Sequence, residues 1–238
     1  MADFSPPLAL TMGEPAGIGG EIAIKAWLAR AHEPVAPFFL IDDPARLHAL
    51  AARIGADIRF TTIGAPAEAN FADSLPVLPL ENPVSAMPGH LDTANAPAVI
   101  ESITRAHALV IAGQASAMVT NPIQKSTLYA AGFSYPGHTE FLAALAGIDT
   151  PPVMMLVVEG LRVVPVTVHQ SLRTALDALT VEAIVTKARI TAQALRSRFG
   201  IAQPRLATSS WCSPWCMFAG TATSIIFGLA SLRPAISS

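Results

Sequence analysis

Apolar residues along this chain fall into short continuous runs, separated by segments in which they recur at helical spacing. Leu8-Ala9-Leu10-Thr11-Met12 is one such run and leads into a glycine-bearing loop, the pattern of a buried strand. From Ile18 to Arg30 the spacing predicts a helix, with Ile22, Ala23, Ala26 and Trp27 on one apolar face. Phe38-Phe39-Leu40-Ile41 predicts a second strand and Pro44 to Ile54 a second helix, with proline at a first-turn position where its missing N–H has no intrahelical role. Shorter strands are expected over 58–62 and 77–80, a long amphipathic helix over 95–112, and an apolar strand over 117–120.

The second half changes rhythm. Helices are expected over 124–131 and 139–146, then two apolar runs, 153–158 and 161–168, joined by Glu159-Gly160 as a hairpin turn. Residues 180–199 predict a long helix closed by Gly200, and Arg205-Leu206-Ala207 should open a further strand. Strand–helix alternation gives a layered α/β fold, and the hairpin adds antiparallel pairing to make a mixed sheet.

Composition then narrows the classes. A net charge of −2 gives no electrostatic case for nucleic acid or an anionic membrane surface. The N-terminus lacks the basic and long apolar regions of a secretory signal, and both cysteines lie beyond residue 207, so a cytoplasmic enzyme is the expectation. After Thr208 the only charged side chain is Arg233. Within that tail, 215–232 is long enough for a short membrane anchor, but its glycines, serines and threonines weaken that reading.

Several motifs carry candidate chemistry. Gly13-Glu14-Pro15-Ala16-Gly17-Ile18-Gly19 links a strand to a helix; its glycines allow a tight turn and its helix start suits an anion, although the spacing is not that of a dinucleotide fingerprint. Val119-Thr120-Asn121-Pro122-Ile123-Gln124-Lys125 puts polar groups past the end of a strand, where open α/β sheets bind ligands. Lys125 there either faces an anion or is solvated. Pro136-Gly137-His138-Thr139-Glu140-Phe141 offers Thr139 as a helix N-cap and His138 as a group that exchanges protons near neutral pH. His169 closes an apolar strand, as a metal ligand or a strand-end residue. His32, His48, His90 and His107 lack partners at ligand spacing, and Cys212 and Cys216 lack a second ligand pair.

Together these motifs, with Val166-Thr167-x-His169, resemble the 4-hydroxythreonine-4-phosphate dehydrogenase family of pyridoxal 5′-phosphate biosynthesis over residues 5–207. The resemblance implies an isocitrate/isopropylmalate dehydrogenase-like two-lobe α/β fold, incomplete at the C-terminus: a first lobe over 1–125, part of a second over 126–207, and an aberrant tail over 208–238. It also implies a homodimer, NAD as cofactor, and a divalent metal (zinc, magnesium or cobalt). The implied substrate is a small phosphorylated amino acid, oxidised and decarboxylated to 3-amino-2-oxopropyl phosphate. His138 and Thr139 match the family's substrate-binding pair and His169 the first of three metal histidines; no catalytic or NAD-binding residue is assigned. A related dehydrogenase of another hydroxy compound and a non-catalytic remnant are the alternatives. Where the family continues into a second metal histidine, this chain reads Ser209-Ser210-Trp211-Cys212, and no histidine follows His169. A shifted reading frame and impaired activity are therefore expected.

Overall fold

The computed structural model describes residues 6–158, 160–168 and 170–207, and the backbone of 224–228. It divides into two compact units, Met1–Asp149 and Thr150–Ser238.

The first unit is built on a five-stranded sheet, all of whose pairings are parallel: β1 (Leu8–Thr11), β2 (Phe38–Asp42), β3 (Phe60–Thr62), β4 (Leu75–Pro79) and β5 (Met118–Val119), ordered β3-β4-β2-β1-β5. Alternate residues of the central strands feed two cores. Leu10, Phe38, Leu40 and Val77 meet Ala23, Trp27 and Leu47 from α1 (Gly19–Ala29) and α2 (Pro44–Ile54). Ala9, Phe39, Ile41 and Leu78 meet Ala106 of α3 (Ala96–Ile111). Apolar residues on both sides of a strand are what a helix-covered parallel sheet requires, which is why these strands read as continuous runs rather than alternating ones. Each large side chain fully buried here contributes roughly 1.5–3 kcal/mol relative to exposure.

Local chemistry fixes the helix ends. Asp43 caps α2 by accepting from the Arg46 N–H at 2.7 Å, Pro44 occupies its first turn, and Gly55 ends it in the left-handed region at φ 67°. In α1 the buried face is Ala23, Ile24 and Trp27, while Ile22 is exposed, so the apolar stripe is rotated from the expected one. A third core gathers Met12, Val99, Ile103, Leu128, Phe133 and Phe141, and seats α4 (Lys125–Ala130) and α5 (His138–Ala146) against α3.

The second unit holds an antiparallel sheet of β6 (Leu156–Val158), β7 (Leu161–Pro165) and β8 (Ser224–Gly228). Gly160 turns the hairpin at φ 77°. Parallel and antiparallel pairings thus occupy separate sheets. Two helices follow β7: α6 (Leu172–Ala178), which the periodicity did not predict, and α7 (Val181–Ser197), capped by Thr180 accepting from the Ala183 N–H. The expected strand at 205–207 does not form there; Leu206 packs instead beside Val164 and Val166. No helix among the described residues is long and apolar enough to cross a membrane, and the anchor-length run 215–232 lies largely outside them, as do Cys212 and Cys216.

Candidate functional site

The C-terminal ends of β1 and β5 sit side by side where the strand order reverses, the point at which open α/β sheets form a ligand crevice. Two of the sequence motifs meet here. Asn121, past the end of β5, is buried; its side-chain Nδ2 donates to the Thr11 carbonyl at 2.9 Å and its backbone N–H to Thr11 Oγ1 at 3.1 Å. The Glu14 N–H donates to the Pro122 carbonyl at 2.8 Å. The glycines of the first motif have a packing reason. Gly13 lies at φ 71°, and a Cβ there would fall 2.7 Å from both Asn121 Cβ and the Pro122 oxygen; at Gly19 it would fall 2.8 Å from the Met12 oxygen. Only glycine lets the two loops close on each other.

A second fastening comes from β2 and α2. Asp42 is fully buried, accepts from Arg46 Nε at 3.0 Å and pairs with Arg46 Nη2; Arg46 Nη1 donates to the Pro15 carbonyl at 3.1 Å. Burial pushes the Asp42 carboxyl above the usual carboxylate range, against the opposing pull of the Arg46 guanidinium and the Asp43 N–H. Ser102 of α3 adds a third tie, accepting from the Met12 N–H at 2.9 Å and donating to the Ile41 carbonyl at 2.8 Å. None of these roles was read from the sequence. The available signal was an Asp–Asp pair at the end of the apolar run of β2, with Arg four residues on from the first.

The third motif lies nearby in the same unit. Aromatic packing positions it: Phe133 and Phe141 meet edge to face at 5.0 Å, Tyr135 lies 5.1 Å from Phe141, and Tyr129 Oη donates to the Pro136 carbonyl. α5 begins at His138 with Gly137 as its N-cap and no side-chain cap, so Thr139 is an exposed first-turn residue rather than the cap. Its hydroxyl is thereby not committed to capping. His138 is half-buried, and its Nε2 is inaccessible to solvent and has no hydrogen-bond partner among the described residues. Burial first, and the Lys125 ammonium second, hold its imidazole below the ordinary histidine range, so it is neutral at neutral pH. Lys125 reaches across from α4: a Cβ placed on Gly137 would lie 3.6 Å from Lys125 Cε and 3.7 Å from both Lys125 Nζ and Glu140 Oε2.

The structure therefore brings His138, Thr139 and Lys125 together. A separate cleft of about 310 Å³ opens where loops leave β1, β2 and β4, lined by Pro15, Gly17, Arg46, Leu50 and Val84 but by neither His138 nor Lys125. The Nε2 of His138, unpartnered among the described residues, and the nearby Thr139 hydroxyl, which does not cap the helix, make the His138 region the stronger candidate. His169 lies outside the described residues, and among the described residues no three His, Cys, Asp or Glu side chains gather as a metal centre would need.

Comparison with known proteins gives the same direction. Residues 34–210 match the family model for the pyridoxal phosphate biosynthetic protein PdxA. The 4-hydroxythreonine-4-phosphate dehydrogenase of Bradyrhizobium diazoefficiens is 50% identical over 85% of this chain and 62% of its own length. That of Methylorubrum populi is 52% identical over 88% of this chain and 62% of its own. This chain therefore spans less than two thirds of these curated relatives. The crystal structure of the Klebsiella pneumoniae 4-hydroxythreonine-4-phosphate dehydrogenase superposes with a TM-score of 0.78 at 34% identity, covering 90% of this chain and 66% of that one. A terephthalate 1,2-cis-dihydrodiol dehydrogenase from Burkholderia xenovorans superposes less closely, at TM-score 0.55 and 26% identity over 83% of this chain and 59% of that one. The fold class is that of the isocitrate/isopropylmalate dehydrogenases, α/β with a mainly parallel central sheet.

Proposed function

The chain belongs to the PdxA family of pyridoxal phosphate biosynthetic proteins, and from that premise we propose that His138 and Thr139 form part of the substrate site of a 4-hydroxythreonine-4-phosphate dehydrogenase. The observation that carries the reading is the solvent-shielded, unpartnered Nε2 of a neutral His138 beside the exposed Thr139 hydroxyl. A buried polar nitrogen without a partner is costly unless a ligand completes it. In this reading His138 and the Thr139 hydroxyl exchange hydrogen bonds with substrate oxygens and fix its orientation.

The proposed reaction oxidises the C3 hydroxyl of 4-phosphooxy-L-threonine. C3 would lose its hydride, to NAD when bound, and the hydroxyl its proton, and the resulting β-keto acid would lose CO2 to give 3-amino-2-oxopropyl phosphate. NAD supplies the hydride acceptor, and the protein's part is alignment and electrostatics. A divalent ion, zinc, magnesium or cobalt, belongs to the same proposal with His169 as one ligand. The described residues do not by themselves make that centre, so no step is routed through it. A homodimer in the cytoplasm is proposed on the same premise.

Calorimetric titration tests the site independently of turnover. Wild-type protein is expected to bind 4-hydroxythreonine 4-phosphate, and His138→Asn combined with Thr139→Val to reduce that binding at least tenfold. Unchanged binding in the double variant would overturn the assignment. A related dehydrogenase of a dihydrodiol is the less supported reading, since that relative superposes at TM-score 0.55 against 0.78 for the Klebsiella pneumoniae enzyme. NADH formation with both substrate types separates the two.

A further inference from the structure

We propose that Lys125 is the charge-reading residue of the His138–Thr139 site, selecting phosphorylated compounds over their unphosphorylated counterparts by pairing its ammonium with the phosphate. This rests on the substrate-site reading above and adds a specificity determinant to it.

The placement is built rather than incidental. Thr127 and Leu128, two and three residues on from Lys125, are buried, and Leu128 belongs to the same core as Phe133 and Phe141. The base of the lysine is therefore fixed relative to α5. Its side chain is exposed yet lies over Gly137, with Cε and Nζ within van der Waals reach of a Cβ placed there. Gly137 has extended backbone at φ 178°, which any residue adopts, so backbone strain does not require glycine. A larger side chain would instead occupy the space beside the ammonium. The other charged group facing this point is Glu140, whose Oε2 is 3.7 Å from the same Cβ position.

No carboxylate among the described residues pairs with Lys125, whereas Lys25, Arg46 and Arg105 each hold an acidic partner four residues away. The ammonium also influences the imidazole, being the second cause of its lowered proton affinity after burial. An anion that reaches His138 therefore lies within the field of Lys125. A phosphate carries more charge and more acceptor oxygens than a hydroxyl, and a charge-assisted contact is about twice as strong as a neutral one. The lysine thus adds affinity mainly when the phosphate is present.

The test compares 4-hydroxythreonine 4-phosphate with 4-hydroxythreonine as ligands for wild-type, Lys125→Met, Lys125→Arg and His138→Asn proteins, by calorimetry and by NMR titration of the His138 ring. Lys125→Met is expected to weaken the phosphorylated ligand on the order of tenfold, leave the unphosphorylated one within about twofold, and raise the pH at which His138 titrates. Lys125→Arg should keep most of the affinity. Equal losses for both ligands, or no loss for either, would overturn the role of Lys125. If His138→Asn weakens binding while Lys125→Met is silent, only this inference fails; if both are silent, the substrate-site reading fails with it. Because Lys125 is exposed, its substitution should leave the fold intact, checked by an unchanged urea midpoint.

Discussion

The two units use their apolar residues in opposite ways. In the first, every residue of β2 is buried, and helices cover both faces of the sheet. In the second, every residue of β6 is exposed, α6 buries nothing, and the buried cluster holds only Val164 and Val166 among the described residues. Both are rich in valine, leucine and isoleucine, so composition alone does not make a core. A strand contributes stability when something packs on each apolar face; otherwise its side chains remain exposed whatever their hydropathy. The candidate site lies in the unit whose sheet is covered by helices on both faces.

The sharpest way to break this contrast is Arg46→Met. It strands the buried Asp42 carboxylate and frees the Pro15 carbonyl, and should cost about 3–5 kcal/mol in urea unfolding. A loss below about 1 kcal/mol would mean that the loop is held mainly by its other ties. Next comes a paired comparison. Leu40→Ala, at a position with no exposure, should cost roughly 2–5 kcal/mol. Val157→Ala, 59% exposed, should stay within about 0.5 kcal/mol. Equal losses would erase the distinction between the units. A smaller effect sharpens the picture of the second unit: Thr180→Ala removes the N-cap of α7 and should cost about 1 kcal/mol, read by thermal melting followed by circular dichroism.

The smallest expected effect is on pH. The His138 imidazole has a lowered proton affinity in the folded chain, so below the ordinary value of 6.5 the unfolded state binds more protons than the folded one. Stability from this group is complete above 6.5 and is lost as the pH falls through the lowered folded value. His138→Asn should flatten that part of the stability profile; an unchanged profile would show that the imidazole is not shielded.

Much of the first unit was legible because buried parallel strands announce themselves as apolar runs. The expected helix over Pro44–Ile54 matches α2 residue for residue, since Pro44 at its start and Gly55 after it mark both ends. Ile22 was misplaced because helical spacing alone does not say which neighbouring stripe faces the sheet, and Ile24 takes the buried position. Residue type points to Thr139 as the cap, but the helix starts at His138 and Gly137, two residues earlier, takes that place. α6 was missed because its leucines, Leu172 and Leu176, leave no apolar face against a core. For the site, the motifs gave His138 and Thr139, while the ties from Arg46 to Pro15 and from Ser102 to Met12 and Ile41 join residues distant in sequence and have no local signature, unlike the Asp42–Arg46 pair at its four-residue spacing. His169 and, apart from the backbone of 224–228, the tail beyond residue 207 lie outside the described residues, so the expected metal ligand and reading-frame shift stand as expectations.

Ser102 has a consequence for exchange with solvent. The Met12 amide proton lies beyond the end of β1 and is held by a hydroxyl on α3 rather than by a neighbouring strand. Its replacement by deuterium therefore requires α3 to lift from the sheet, and one backbone proton at the mouth of the glycine loop becomes a clock for the opening of a helix that approaches it from ninety residues downstream.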